Sequence, residues 1–294
     1  MTKRLRTKVV QYIAVSWPLD GKPRPLEEVL YEVAVREFQI PDTAAAEFAE
    51  AHLAPSLSEL VELLTYAEDR ALPCRFSFND RSPDHIQGSS FVQVDDDAAI
   101  QRAKERRLNY DSYEAFLKNL RWEDFEACCR GILERLGCSD PKLTALGNDQ
   151  GIDFFGRLSL RKRLGNESIL PSLDSMLDVW MVGQAKHYQK TQVSTPDLRE
   201  LVGSVELARA KAFADGGVAL HGLDLRVCDP IFYLFFTTGT ISRDGYKLLD
   251  ASGMVSMNGA QVAAFLADND IGVVDGVFDP AAALHWLRAH SNQD

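Results

Sequence analysis

The sequence predicts an α/β layer fold, with helices on both faces of a sheet, behind a mainly helical N-terminal segment. Three observations predict it. From Trp122 onward, helical and strand patterns alternate. Ile231 to Thr238 is apolar on both faces, as a fully buried strand is. The chain is 294 residues long, 46% apolar and 26% charged, enough for a real core without the bias of a collagen-like, disordered or disulfide-stapled chain. That length allows one large domain or two ordinary ones.

In chain order, Lys3, Arg4, Arg6 and Lys8 lead into Val9-Val10-Gln11-Tyr12-Ile13-Ala14-Val15. The run is short for a signal peptide and meets Ser16-Trp17-Pro18 with no small-residue cleavage site, so we read it as a first strand. Pro25 to Phe38 carries Leu26, Val29, Leu30, Val33 and Val35 at near-helical spacing. Ser58 to Leu72 carries Leu60, Val61, Leu63 and Leu64, with Ser56 or Ser58 as N-cap. Asn79 to Asp84, continued by Gln87 to Ser90, is a loop-rich zone. Ala98 to Leu120 reads as one polar helix with Arg102, Lys104, Arg106 and Arg107 in its middle.

Trp122 to Leu136 is an amphipathic helix stopped by Gly137. Gly151 to Leu160 and Val179 to Tyr188 read as strands, separated by a basic, polar stretch at Arg161 to Asn166. Thr195-Pro196 starts a helix, a hydroxyl N-cap followed by proline, with Leu198, Leu201, Val202, Val205 and Ala208 on one face. After the buried strand come a helix at Ser242 to Ala251, a short strand at Met254 to Met257, and helices at Gln261 to Asp268 and Pro280 to His290.

Lys plus Arg number 32 against 43 Asp plus Glu, a net charge of -11. Such acidity argues against a simple nucleic-acid binder, whose phosphate contacts need basic surface. The five cysteines, Cys74, Cys128, Cys129, Cys138 and Cys228, form no CxxC pair, so reduced core or near-core thiols are expected and a zinc site is not. The most apolar stretch outside the N-terminus, Ile231 to Phe236, is far too short to span a bilayer, and a cytoplasmic protein without membrane contact is expected. Neither GxGxxG nor GxxxxGK[ST] occurs, which removes the usual phosphate-cradling loops.

Three polar positions stand out. Glu126 falls inside the apolar stripe of the Trp122 helix (Trp122, Phe125, Cys129, Ile132, Leu133, Leu136), where a carboxylate needs a partner; a structural ion pair explains it alone. Asp153 follows the turn Gly147-Asn148-Asp149-Gln150-Gly151 and is flanked by large apolar residues; a turn-capping Asp explains it alone. Gln184 and Lys186 share one face of a strand that continues from Trp180 and Val182. A snorkelling lysine at a strand end explains Lys186 alone.

Taken in order, Phe125-Glu126, Gly151-Ile152-Asp153 and Gln184-Ala185-Lys186 resemble the PD-(D/E)xK nuclease superfamily, and within it the Mrr-like restriction endonucleases. Leu198-Arg199-Glu200-Leu201-Val202-Gly203, Phe235 to Ser242, and Met257-Asn258-Gly259 resemble later parts of the same pattern, over roughly residues 118 to 275. The resemblance implies a restriction-endonuclease-like core: a central mixed β-sheet flanked by helices at 118–294, with 1–117 as an accessory, recognition or partner-docking domain. It implies a metal-dependent endonuclease that hydrolyses DNA phosphodiester bonds, in restriction or anti-phage defence. Glu126, Asp153, Gln184 and Lys186 would be catalytic; Asp153, Glu126 and the Ala185 carbonyl would hold Mg2+, for which Mn2+ can substitute. Gln184 departs from the commoner carboxylate, as in the Mrr-like branch, and Glu126 would restore the lost charge. Lys186 would orient or deprotonate the attacking water, or stabilise the pentacovalent phosphate. Asp149 is a further acid with a turn-forming alternative.

Lys190, Arg199, Arg161, Lys162 and Arg163 are candidate phosphate contacts, with a solvated face as the alternative for Lys190 and Arg199. Thr237, Thr238 and Ser242 either donate to phosphates or cap turns. His187 points to the opposite strand face from Lys186, toward packing, and His85 and Cys74 receive no role. The window 157–199 holds seven basic and four acidic residues, so a local basic patch on an acidic body is expected. A homo-oligomer that cuts both strands is expected, with an activator or partner protein docking on 1–117. The alternative of another class is a catalytically silent nuclease fold that binds nucleic acid or scaffolds a defence complex.

Overall fold

The computed structural model describes residues 2–144, 151–159, 178–212 and 220–291. The chain divides into two compact units, 1–111 with 267–270, and 112–266 with 271–294.

The first unit is built from α1 (Thr2–Ser16), β1 (Arg24–Pro25), α2 (Leu26–Arg36), α3 (Asp42–Asp69), β2 (Phe76–Asn79), β3 (Ser82–Gly88) and α4 (Ala98–Arg107). Its antiparallel sheet has the order β1-β3-β2. The expected first strand is α1 instead. Val9, Val10, Ile13 and Trp17 are all buried and recur at helical spacing, so the 3.6-residue stripe overrides the strand preference of adjacent valines. They join Leu26, Val29, Leu30, Leu60 and Phe76 in one core. The helix expected from Ser58 is the second half of α3, which holds Pro55 and a buried Ser56 in its interior. The loop-rich zone at 79–90 is largely the β2–β3 hairpin. Asn79 Oδ1 accepts the N–H groups of Arg81 and Ser82 and so closes its turn. The polar helix at 98–120 is two helices, α4 and α5 (Tyr110–Lys118). The carboxylate of Asp97 caps α4 by accepting from Ala99 and Ile100.

The second unit continues with α6 (Trp122–Arg135), β4 (Cys138–Leu143), β5 (Phe154–Ser159), β6 (Asp178–Lys186), α7 (Thr195–Arg209), β7 (Ile231–Thr237), α8 (Arg243–Ser252), β8 (Val255–Met257), α9 (Gly259–Asp268), β9 (Val273–Val274), β10 (Val277–Phe278) and α10 (Pro280–His290). A five-stranded sheet runs β4-β5-β6-β7-β8. β4, β5 and β6 are antiparallel to one another, whereas β7 and β8 run parallel to β6. The sheet is therefore mixed and flanked by helices, an α/β architecture as the sequence predicts.

On one face, Leu198, Leu201 and Val205 of α7 pack with Ile152, Phe155, Trp180, Val182 and Phe235. On the other, α6 buries Phe125, Cys128, Cys129, Ile132 and Leu133 against β4 to β6. Gly131 opens α6 to the Trp286 ring of α10, whose nearest atom would lie 2.2 Å from an added Cβ. Four details depart from the sequence expectation. Trp122 is exposed and outside the buried stripe, as is Cys228 among the thiols. Phe232 leaves the start of β7 open, and only Leu234 to Thr237 are buried in succession. The N-cap of α7 is Ser194, one residue earlier than expected; with Asp197 it forms a capping box.

Candidate active site

The site is built where β5 and β6 part. Their ladder ends at Phe154 opposite Gly183. Gly183 is required there, because an added Cβ would lie 2.2 Å from the Phe154 ring. One residue before that pair, Asp153 is 5% exposed. Its N–H donates to Gly183 O at 2.9 Å, and its carbonyl accepts from Thr144 N–H at 3.0 Å. Its carboxylate Oδ2 accepts the Ala185 N–H at 2.6 Å. The acid is therefore tied to the middle residue of Gln184-Ala185-Lys186. Within a strand, one residue's N–H and C=O point to the same side, so the Ala185 carbonyl also faces the Asp153 side.

Alternation along β6 places Gln184 and Lys186 on the same face as Trp180 and Val182, the α7 face. Gln184 is 1% exposed, and its Oε1 has no hydrogen-bond partner among the described residues. A buried acceptor left without a donor is costly and calls for a role. Lys186 is partly exposed, its carbonyl held by Thr237 Oγ1 at 2.7 Å and Thr238 N–H at 3.3 Å. Its ammonium Nζ lies 3.4 Å from Glu200 Oε2 of α7.

Glu126 is half-buried on α6. It and Asp153 both act on Cys129: burial first, then Cys128, Asp153 and Glu126, push that thiol well above its ordinary range. His187 faces α6 as expected, with its ring 6.2 Å from Phe125 and Nδ1 2.9 Å from Thr238 Oγ1. Burial lowers its pKa, against an opposing backbone hydrogen bond with Leu120.

α7 closes the lysine side. Asp197 accepts from Ser194 N–H at 2.8 Å, from Ser194 Oγ at 2.7 Å and from Tyr188 Oη at 2.9 Å. Burial raises the Asp197 carboxyl, but these hydrogen bonds and the Lys186 ammonium outweigh it and hold the group below its usual value. Burial and then the bond to Asp197 push the Tyr188 hydroxyl up to about 12.

Among the described residues no three His, Cys, Asp or Glu side chains form a metal-holding group. The donors here are of another kind: the Asp153 carboxylate, the Ala185 carbonyl and the orphan Gln184 Oε1. All are hard oxygens of the type that suits Mg2+, and the unsatisfied Gln184 oxygen is what such a cation or its water would satisfy. The residues fit the group.

The expected basic patch is only partly visible. Arg161, Lys162 and Arg163 lie outside the described residues, as does Asp149. Lys190 and Arg199 are exposed. Arg157 stacks over the Trp180 ring at 4.8 Å and lies 4.0 Å from Asp178. That places it six residues along β6 from Lys186, roughly 20 Å at strand rise. Thr237 is spent on Lys186 O and Gly239 N–H, Thr238 on His187, and Ser242 caps α8 through Gly245 N–H. Glu200 was missed by sequence reasoning, because an exposed helical acid beside Arg199 looks like a solvated face; only its contact with Lys186 distinguishes it.

Residues 117–214 match the family model Mrr_cat, described as a restriction endonuclease. That segment, about a third of the chain, is similar to the restriction endonucleases the model describes. It holds Glu126, Asp153, Gln184, Lys186 and Glu200. No curated protein sequence matches the chain. Among solved structures, the MspJI restriction endonuclease in complex with a 27-mer oligonucleotide is similar at 19% identity and TM-score 0.41, over 67% of this chain and 39% of that one. The DNA modification-dependent restriction endonuclease AspBHI is similar at 19% identity and TM-score 0.39, over 62% and 39%. Protein VC1899 from Vibrio cholerae is similar at 9% identity and TM-score 0.21, over 99% and 57%. This chain spans about two-fifths of the length of the first two. Among the described residues no helix is long and apolar enough to cross a membrane.

Proposed function

We propose that the second unit is a metal-dependent endonuclease that hydrolyses DNA phosphodiester bonds, serving in restriction or anti-phage defence. The observation that carries this is the bond from Ala185 N–H to Asp153, which joins the acid to the Gln184-Ala185-Lys186 segment beside an unsatisfied buried oxygen. Asp153, the Ala185 carbonyl and Gln184 Oε1, with Glu126 from α6, would hold Mg2+ or Mn2+. A bound divalent ion supplies positive charge against which the developing negative charge of the phosphate is stabilised.

Asp153 is fixed before substrate arrives, since its backbone and its carboxylate are both hydrogen-bonded to β6. Gln184 contributes a neutral oxygen where the commoner pattern has an anion, which leaves the site one charge less negative toward phosphate. Lys186 carries the positive charge at the strand end. It orients the attacking water and stabilises the pentacovalent phosphate. Lys190 and Arg199, both exposed, contact backbone phosphates. The N-terminal residues 1–117 dock an activator or partner protein or read the DNA, and a homo-oligomer brings two sites to the two strands.

The test is incubation of the full chain with unmodified and base-modified plasmid DNA, with Mg2+ and with EDTA. Nicking or linearisation that needs the metal is expected on at least one substrate. Wild type that binds DNA yet cuts neither substrate would mark the silent-subunit alternative.

A further inference from the structure

We infer that Glu200 is a positioning residue for Lys186, setting where the ammonium stands relative to Asp153. This rests on the nuclease reading above and goes one residue beyond it. Glu200 lies on α7, away from the Glu126, Asp153 and Gln184-Ala185-Lys186 positions. Its Oε2 nevertheless lies 3.4 Å from Lys186 Nζ. Asp197, one turn earlier, also acts electrostatically with Lys186, but its oxygens accept from Ser194 and Tyr188. Among the described residues the direct partner of the ammonium is therefore Glu200.

The same residue touches the other half of the site. Gly151 adopts φ +79 two positions before Asp153, and an added Cβ there would lie 2.4 Å from Ser204 Oγ and 3.6 Å from Glu200 Cγ. Ser204 is one helical turn on from Glu200, and its hydroxyl donates to the Glu200 carbonyl at 2.9 Å. Glu200 and Ser204 thus stand beside Gly151, two residues before Asp153, while the Glu200 carboxylate reaches the lysine. α7 is fixed in turn by its buried Leu198, Leu201 and Val205 and by its capping box. One anchored helix therefore lies beside both Gly151 and the ammonium.

Stability does not explain the pair. The Glu200 side chain is 51% exposed, and ion pairs at such exposure contribute little to folding. A long lysine side chain otherwise samples many rotamers, and misplacement of a charged group by an ångström is enough to cost rate.

The experiment compares wild type with Glu200→Ala and Glu200→Gln, after thermal melting shows that the variants fold. Two readouts are taken. One is the rate at which an amine-acylating reagent modifies Lys186, followed by mass spectrometry against Lys190 as internal reference. The other is kcat and KM for plasmid cleavage with Mg2+. Loss of the carboxylate is expected to raise Lys186 labelling several-fold and to lower kcat about tenfold with KM within about twofold. Glu200→Gln, which keeps a hydrogen-bond acceptor, is expected to recover part of both. Unchanged labelling, unchanged kcat, or a change confined to KM overturns the inference while an active wild type leaves the nuclease reading standing. A wild type inert with Mg2+ and Mn2+ overturns the nuclease reading and the catalytic part of this inference together, with the labelling still reporting whether the pair forms.

Discussion

A buried acceptor without a donor costs about 1–3 kcal/mol, and Gln184 Oε1 is such an acceptor among the described residues. Replacing the amide by a near-isosteric apolar side chain removes that cost. Gln184→Met is therefore expected to leave stability equal or to raise it by about 1 kcal/mol in denaturant unfolding, while DNA cleavage falls more than about tenfold. Parallel loss of stability and activity would make Gln184 a packing residue instead. A second expectation concerns the thiols. The thiolate is the reactive form, and burial pushes Cys128 up to about 12 and Cys129 well above its ordinary range. Native protein at pH 8 should be alkylated at exposed Cys228 and spared at Cys128 and Cys129, as peptide mapping would show. At this scale Asp153, Gln184 and Lys186 stood out in the sequence by their order and their apolar surroundings, and the structure bonds Asp153 to Ala185 between the other two. Glu200 did not, because sequence shows a helical acid's neighbours along the helix and not the strand it leans on.

At the level of elements, two joints hold the site. Ser194 and Asp197 fix the start of α7, and Ser194→Ala is expected to cost about 1 kcal/mol of stability. Asp197 gives this joint a pH dependence. Its folded-state pKa lies below the unfolded value of about 3.9, so its contribution is fully present above that value and is lost as pH falls through the lower folded value. The stability deficit of Asp197→Asn relative to wild type should be largest near neutrality and shrink below about pH 4, measured by chemical unfolding across pH. The other joint is Gly183, where a Cβ has no room beside Phe154. Gly183→Ala should destabilise by about 1–3 kcal/mol and move the Asp153 end of β5. Most elements of the second unit were legible because helical and strand periods alternate there, but the edge strand β4 and the two-residue strands β9 and β10 carry too little apolar pattern to be read. In the first unit two signals competed. Val9 and Val10 look like a strand, yet with Ile13 and Trp17 they make a helical stripe. Asn79 to Ser82 looks like a loop because it is the turn of a hairpin whose strands carry few apolar residues.

The whole molecule is acidic, with a net charge of -11, and under the proposed function it would hold DNA with few cations. Lys190 and Arg199 are exposed in the second unit, whereas Arg157 is engaged with Trp180 and Asp178. Binding should therefore be weak and steeply salt-dependent. Lys190→Ala and Arg199→Ala should each reduce the slope of log affinity against log salt by about one, read by fluorescence anisotropy on an oligonucleotide duplex. An unchanged slope would place those residues on a solvated face. Asp153, joined to Ala185 and followed by Lys186, is proposed as a hydrolytic centre. Its most direct measurement is Mg2+-dependent cleavage of plasmid DNA by wild type, Asp153→Ala and Lys186→Ala in parallel. Cleavage by wild type that EDTA abolishes is expected, with rates in both variants lower by about a hundredfold or more. Cleavage that survives both substitutions would contradict the proposal.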